Sequence, residues 1–313
     1  MIHAINVVKA KPFVKWVGGK GQLLKQLEAL LPIDFREREN ITYIEPFVGG
    51  GAMLFHLLQN YSNIKSAIIN DINPDLTTCY RVVRDNPKEL ISTLEDIQAQ
   101  YYAFETEEQR KEFFLLCREK FNSKQNSDVE NSVLFLFLNR TCFNGLYRVN
   151  KSGKFNVPFG RYKTPTICDA ATIYADSILL QKVEIMTGDF EQTASKINGE
   201  TFVYFDPPYR PLSATSNFND YSKESFNDAS QIRLKAFCDK LDRMGVTFML
   251  SNSDGMQCDV QDAFFDELYT DYQINRVLAS RSINSVASKR GKLTEIVVGN
   301  QLGQQYNLFP VIR

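Results

Sequence analysis

Four short apolar runs in this 313-residue chain each stop at a polar or turn-forming residue, and amphipathic stretches separate them. Thr42-Tyr-Ile-Glu45 ends at Pro46 and a glycine cluster, and Ala67-Ile-Ile-Asn70 ends at Asp71. Thr201-Phe-Val-Tyr-Phe205 ends at Asp206, Val246-Thr-Phe-Met-Leu250 ends at Ser251, and Glu295-Ile-Val-Val298 reads as a further late strand. Strands alternating with helices predict an α/β fold on a parallel sheet. The polar residues that close the strands then gather at the carboxyl edge, where open α/β sheets hold their ligands.

The rhythm breaks between Asp71 and Thr201. Residues 87–125 read as charged, aromatic-bearing helices, Asn122 to Asp128 as a polar linker, and Val133 to Leu138 as an apolar segment. Asn144-Gly145 and Lys151-Ser-Gly-Lys154 carry hairpin turn chemistry. The expected organisation is a discontinuous sheet domain, residues 1–75 and 167–313, with a mostly helical lobe carrying a β-hairpin inserted at 76–166.

Composition removes several classes. At 43% hydrophobic and 23% charged the chain is neither disordered nor collagen-like. Its longest apolar run, near residues 133–138, is far short of the ~20 residues of a membrane span, and the first residues lack a secretory apolar core. A cytoplasmic protein is expected. Six cysteines without a CxxC pair, and His3 and His56 as the whole supply of imidazole, give no metal site and no disulfide framework. The net charge of −1 hides a segregation, because residues 131–168 and 273–294 hold no Asp or Glu yet supply eleven of the 36 basic groups. Two solvated loops would account for this; a polyanionic partner is the more economical reading.

Asp206-Pro207-Pro208-Tyr209, directly after a strand, is the sharpest motif. A stiff turn explains its prolines. It does not explain a carboxylate and a flat aromatic side by side at the sheet's carboxyl edge. An exocyclic amine is a poor nucleophile because its lone pair is delocalised into the ring. With one N–H on Asp206 and the other on the Pro207 carbonyl, the nitrogen can move towards sp³ while Tyr209 stacks on the base. Glu45-Pro-Phe-Val-Gly-Gly-Gly-Ala52 is a glycine-rich strand-to-helix turn without the GxGxxG spacing, and Asn70-Asp71 follows with an acidic residue suited to ribose hydroxyls. Together they indicate an adenosine-bearing cofactor without a pyrophosphate, which S-adenosylmethionine satisfies. Gly188-Asp189-Phe190 ends another strand, where Asp189 and Phe190 suit an adenine ring. Lys15-Trp-Val-Gly-Gly-Lys20 carries the single tryptophan and is not a phosphate-binding P-loop.

KWVGGK (15–20), EPFVGGGA (45–52), NDIN (70–73), FNGLYRVNKSGKFNVPFGRY (143–162), GDF (188–190) and DPPY (206–209), in this order, resemble the Dam and DpnII-type DNA adenine-N6 methyltransferases, the α group of amino-methyltransferases. The resemblance covers residues 11 to about 300. It implies a Rossmann-like S-adenosylmethionine-dependent methyltransferase sheet whose inserted lobe recognises the DNA target. It implies S-adenosylmethionine held by Trp16, Gly18, Lys20, Glu45, Phe47, Gly49, Asp71, Asp189, Phe190 and Asp206, and a flipped adenine held by Asp206, Pro207 and Tyr209. Lys15, Leu146, Arg148 and Pro158 fall where bases of 5′-GATC-3′ are read, and Phe143 and Asn144 where the vacated stack is filled. Arg140, Arg161 and Lys289 suit phosphates, and Ser282 and Asn284 lie in a late segment expected on the DNA backbone. Double-stranded DNA is the expected partner, in a bacterial or phage-infected cell, with no membrane and no obligatory protein partner.

Other readings of the residues stay open at this level. A DPPY-like turn orients any planar amine, so cytosine N4, an RNA base or a protein glutamine is a rival substrate. A catalytically idle DNA-binding partner is another rival. A nuclease is disfavoured by the lack of a PD…(D/E)xK cluster.

Overall fold

A computed structural model describes residues 8–210, 226–257, 262–280 and 292–303. Seven strands, β1 (Ile41–Glu45), β2 (Ile64–Asp71), β3 (Val183–Thr187), β4 (Thr201–Phe205), β5 (Thr247–Ser253), β6 (Gln273–Ser280) and β7 (Lys292–Gly299), form one sheet in the order β3-β2-β1-β4-β5-β7-β6. β1 pairs in parallel with β2 and β4, and β4 with β5, while β7 runs antiparallel to both β5 and β6. The sheet is therefore mixed rather than parallel throughout. Residues 281–291, which join β6 to β7, are fewer than the dozen or so that a parallel crossover needs.

All residues of β1, β4 and β5 are buried, as strands covered on both faces require. The strand order turns back between β1 and β4. Glu45 and Asp206, at the carboxyl ends of those neighbours, thus stand at the topological switch point.

The chain separates into two compact units. The first takes the residues up to Gly19, Gly49–Asn60 and Asn70–Asp189; the second takes Lys20–Val48, Tyr61–Ile69 and the residues from Phe190 on. The lobe expected at 76–166 falls wholly inside the first unit, which also draws on segments from both flanks.

The first unit carries α2 (Ala52–Asn60), α3 (Pro74–Asp85), α4 (Pro87–Ala103), α5 (Glu107–Ser123), α6 (Asp128–Thr141) and α7 (Ala170–Leu180). Local chemistry sets their starts. The Asn73 side chain accepts the amides of Asp75 and Leu76 ahead of Pro74, and reciprocal capping boxes, Thr106 with Gln109 and Ser127 with Glu130, open α5 and α6. The apolar run Val133 to Leu138 lies inside α6 and is buried throughout, so this helix is the core of the unit. Asp75 accepts from Lys124 Nζ at 2.8 Å, Asn131 Nδ2 at 3.2 Å and the Tyr147 hydroxyl at 2.8 Å, tying α3 to α6 and to the segment beyond it.

Only one of the two expected hairpin turns is a hairpin. Around residues 151–154 the Asn150 amide donates to Lys154 O at 2.9 Å, and Val149 bridges Phe155 in antiparallel fashion. Asn144-Gly145 instead belongs to a 3₁₀ turn directly after α6, with φ of 55° and 64°. The tail of α6 supplies the backbone that a first strand would have provided.

The second unit carries β1, β4, β5, β6, β7 and β2 up to Ile69, with α1 (Leu24–Ala29), α8 (Asp228–Arg243) and α9 (Phe264–Leu268), while β3 falls in the first unit. The acid-free window 273–294 does not form the expected positive surface at Arg276. On β6 its guanidinium donates to Asp254 Oδ2 at 3.0 Å and Asp266 at 2.9 Å, partners contributed from outside the window. Ser282, Asn284 and Lys289 lie outside the described residues.

Candidate active site

In the second unit, β4 delivers Asp206 to the rim and the Pro207-Pro208 corner follows. Polar side chains clamp this corner from two elements. Gln231 of α8 donates to Pro208 O at 3.2 Å and is itself held by Asn252 Nδ2 at 3.1 Å, while Ser253 Oγ donates to Arg210 O at 3.1 Å. Backbone held this way is preorganised.

Lys20, buried in the short 3₁₀ turn before α1, places its ammonium 2.8 Å from Asp206 Oδ1, 3.9 Å from Glu295 Oε2 and 4.4 Å from the centroid of the Tyr209 ring. The Tyr209 hydroxyl donates to Glu295 Oε2. Burial pushes the Asp206 carboxyl up to about 6; the Lys20 ammonium opposes the rise and the Glu295 charge adds to it. Asp206 is therefore ionised at neutral pH yet is a better proton acceptor than an ordinary aspartate. Burial likewise holds Tyr43, Tyr204 and Tyr209 far above the usual phenol range, so all three stay neutral. Glu45, buried at the end of β1, accepts the Tyr43 hydroxyl at 2.7 Å.

Phe47 and Phe190, 143 positions apart in the sequence, meet at 5.2 Å between ring centroids. Phe226 completes the slot at 5.5 Å from Phe47, with rings perpendicular. No sequence signal marks Phe226, which belongs to no motif. The Arg233 guanidinium lies over the Phe190 ring, 4.6 Å from its centroid.

The first unit holds the other expected cofactor residues. Gly49 donates its amide to Asp71 Oδ2 at 3.1 Å, and Asn73 donates to Asp71 Oδ1 at 2.9 Å. The Asp71 carbonyl accepts the Gly188 amide at 3.1 Å, and Asn70 Nδ2 donates to Gly188 O at 2.9 Å, which draws the strand end before Asp189 against that of Asp71. Gly49 has φ of +47°, and a Cβ there would lie 2.8 Å from Trp16 Cδ1. Trp16 in turn stacks on Tyr147 at 5.7 Å and 26°. Gly18 also adopts a left-handed backbone, at φ +81°.

The expected base-reading residues cluster in the same unit. The Phe143 amide donates to Pro158 O at 2.9 Å, Asn144 N donates to the Tyr162 hydroxyl at 3.2 Å, and the Lys15 ammonium sits 5.3 Å from the centroid of the Tyr162 ring. Phe143 is 53% exposed, a large apolar side chain left in solvent. Leu146 adjoins this turn, its amide donating to Phe143 O. Arg148 is exposed and braced by Asn156 Oδ1 at 2.8 Å. Two expected phosphate contacts have other partners: Arg140 donates to Phe13 O at 2.7 Å, and Arg161 lies 3.6 Å from Glu107.

Asn139 organises this cluster and was not legible as a site residue. Buried at the end of α6, its Oδ1 accepts the Lys15 amide at 2.8 Å, and its Nδ2 donates to Lys15 O at 2.9 Å and Gly145 O at 3.0 Å. Asn139→Ala leaves three backbone groups without these partners and should cost about 2–4 kcal/mol of stability. Denaturant unfolding of the variant checks the value, and a loss below about 0.5 kcal/mol would contradict the pinning role.

A strand-end carboxylate beside an aromatic at the switch point marks the ligand-binding edge of an α/β sheet, and the comparisons with known proteins specify the class of enzyme. Residues 16–283 match the family model of the D12 class N6 adenine-specific DNA methyltransferases. The type II methyltransferase M.MjaIII of Methanocaldococcus jannaschii is 48% identical over 90% of this chain and 96% of its own length. The type II methyltransferase M1.LlaDCHI of Lactococcus lactis subsp. cremoris is 40% identical over 94% and 97%, and the DNA adenine methylase of Escherichia coli K12 is 33% identical over 92% and 95%. The chain belongs to the D12 class N6 adenine-specific DNA methyltransferases: it is an adenine-specific DNA methyltransferase, with DNA as its substrate. Among the described residues no helix is long and apolar enough to cross a membrane.

Proposed function

We propose that this enzyme transfers a methyl group from S-adenosylmethionine to N6 of an adenine flipped out of duplex DNA, within 5′-GATC-3′, as the modification half of a restriction system. The observation that carries the catalytic part is the ionised Asp206 beside Lys20 and Tyr209 on a clamped Pro-Pro corner. The residues fit the cofactor. The amide-braced Asp71 carboxylate suits ribose hydroxyls, and the Phe47–Phe190 pair offers apolar ring faces to a purine. Trp16, Gly18, Lys20, Glu45, Gly49 and Asp189 would complete the set. When bound, S-adenosylmethionine supplies a methyl carbon made electrophilic by its sulfonium.

The chain's own part is orientation and proton handling. Asp206 accepts one N6–H and the Pro207 carbonyl the other, which localises the nitrogen lone pair; Tyr209 stacks on the base and fixes its plane. As the N6–C bond forms and the bond from that carbon to the sulfonium sulfur breaks, leaving its electron pair on sulfur, the amine becomes cationic, and Asp206 would take the surplus proton. Extrusion of the adenine costs a few kcal/mol, which stacking and pocket hydrogen bonds offset. Phe143, exposed at the tip of its turn, fills the gap in the stack.

The target sequence rests on Lys15, Leu146, Arg148 and Pro158. Expression in a methylation-free host, followed by single-molecule sequencing, should place N6-methyladenine in GATC; methylation confined to another motif would refute that specificity. Arg148→Ala should cost about 1–3 kcal/mol in discrimination at one G·C pair while leaving non-specific affinity nearly unchanged. Competition between cognate and singly substituted duplexes measures this, and a uniform loss on all sequences would make Arg148 a phosphate contact.

A further inference from the structure

The gripping of adenine by Asp206 and Tyr209 leaves one carboxylate in the same cluster without a task. Glu295 belongs to β7, the reversed strand, and lies opposite Ser253 of β5. It accepts the Tyr209 hydroxyl and stands 3.9 Å from the ammonium that pairs with Asp206 at 2.8 Å. We infer that Glu295 is a positioning residue for methyl transfer: it anchors the plane of the Tyr209 ring through its hydroxyl and shares the Lys20 ammonium, so that Asp206 keeps its capacity to accept from the adenine amine. This rests on the proposed roles of Asp206 and Tyr209.

The physical need is plain on both counts. A tyrosine ring turns about its last torsion in a broad, two-fold well, so a stacking platform needs a second anchor, and Glu295 supplies it. A lysine pairing with Asp206 alone would neutralise the acceptor that the amine requires. With a second carboxylate at 3.9 Å, one ammonium serves two anions and neither is fully compensated. The groups that face Asp206 are Lys20, Glu295 and the hydroxyls of Tyr43, Tyr204 and Tyr209. Burial keeps the three phenols neutral, which leaves Lys20 and Glu295 as the charges that set its titration.

Glu295 raises the Asp206 pKa, so Glu295→Gln, which keeps a hydrogen-bond acceptor for Tyr209 but removes the charge, lowers it. The acid limb of turnover on a duplex that the wild type methylates should therefore move to lower pH. Glu295→Leu and Tyr209→Phe, which remove opposite ends of one hydrogen bond, should each lower kcat by about 10-fold, and the double variant should be no worse than the poorer single. An acid limb unmoved in Glu295→Gln, or losses that multiply in the double variant, would overturn the inference. If Glu295→Leu does not fold, the isosteric Glu295→Gln profile decides alone. Asp206→Ala measured alongside separates the two levels. Full activity there would sink the Asp206 reading itself, whereas an inactive Asp206→Ala with an unmoved Glu295→Gln limb would sink only the role of Glu295.

Discussion

Asp206→Ala is expected to lower turnover by about 10²–10³-fold or more while binding of S-adenosylmethionine stays measurable. The variant removes the proposed acceptor of the adenine N–H and of its proton, together with the 2.8 Å partner of a buried ammonium. Loss of one preorganised electrostatic partner of a transition state costs about 3–4 kcal/mol, which sets the lower end of the range. Asp206→Asn keeps an oxygen that accepts a hydrogen bond but loses the charge, so its loss should be smaller. In the wild type, the carboxyl titrates at about 6, so turnover should fall as pH drops through that value and level off above it. Single-turnover methylation and calorimetric cofactor binding across this range test both parts. An Asp206→Ala enzyme with wild-type turnover would refute the proposed mechanism.

Gly49→Ala should weaken S-adenosylmethionine binding by about 10–100-fold. Two costs combine at this position. A left-handed backbone at φ +47° disfavours any side chain by about 1–2 kcal/mol, and the new Cβ would lie 2.8 Å from the Trp16 indole, which must move. Movement of Trp16 disturbs a proposed cofactor residue, and strain at Gly49 loosens its amide from Asp71 Oδ2. Gly199→Ala is the matched control, since its φ is +52° but nothing lies within 4 Å of the added carbon. It should lose stability without losing cofactor affinity. Equal affinities for both variants, measured by calorimetry, would show that Gly49 serves the backbone alone.

How much of this was legible in the sequence depended on whether the information was local. The strand ends at Glu45, Asp71 and Asp206 could be read because apolar runs stop there, and β1, β4 and β5 appear where those runs stand. β6 was missed. Its residues carry Arg276 among apolar neighbours and looked like part of a basic loop, because the acids that neutralise it, Asp254 and Asp266, lie outside the window. Charge counted along a chain cannot register pairing made by tertiary contacts. Glu295 escaped for the same reason: it read as the first residue of a strand, and only antiparallel pairing beside β5 brings it to Tyr209. Asn139 was hidden at the end of an apolar run, where a carboxamide carries no motif of its own. Asn144-Gly145 was read as a hairpin tip because its turn chemistry is real, but α6 occupies the place of the incoming strand.

The neighbours of Tyr147 divide labour by parity. Tyr147 faces inward, stacked on Trp16 and bonded to Asp75, while the next residue, Arg148, is exposed. Extended backbone sends successive side chains to opposite sides. If Arg148 reads the target as proposed, a substitution there can change which bases are read while the inward position keeps the segment moored.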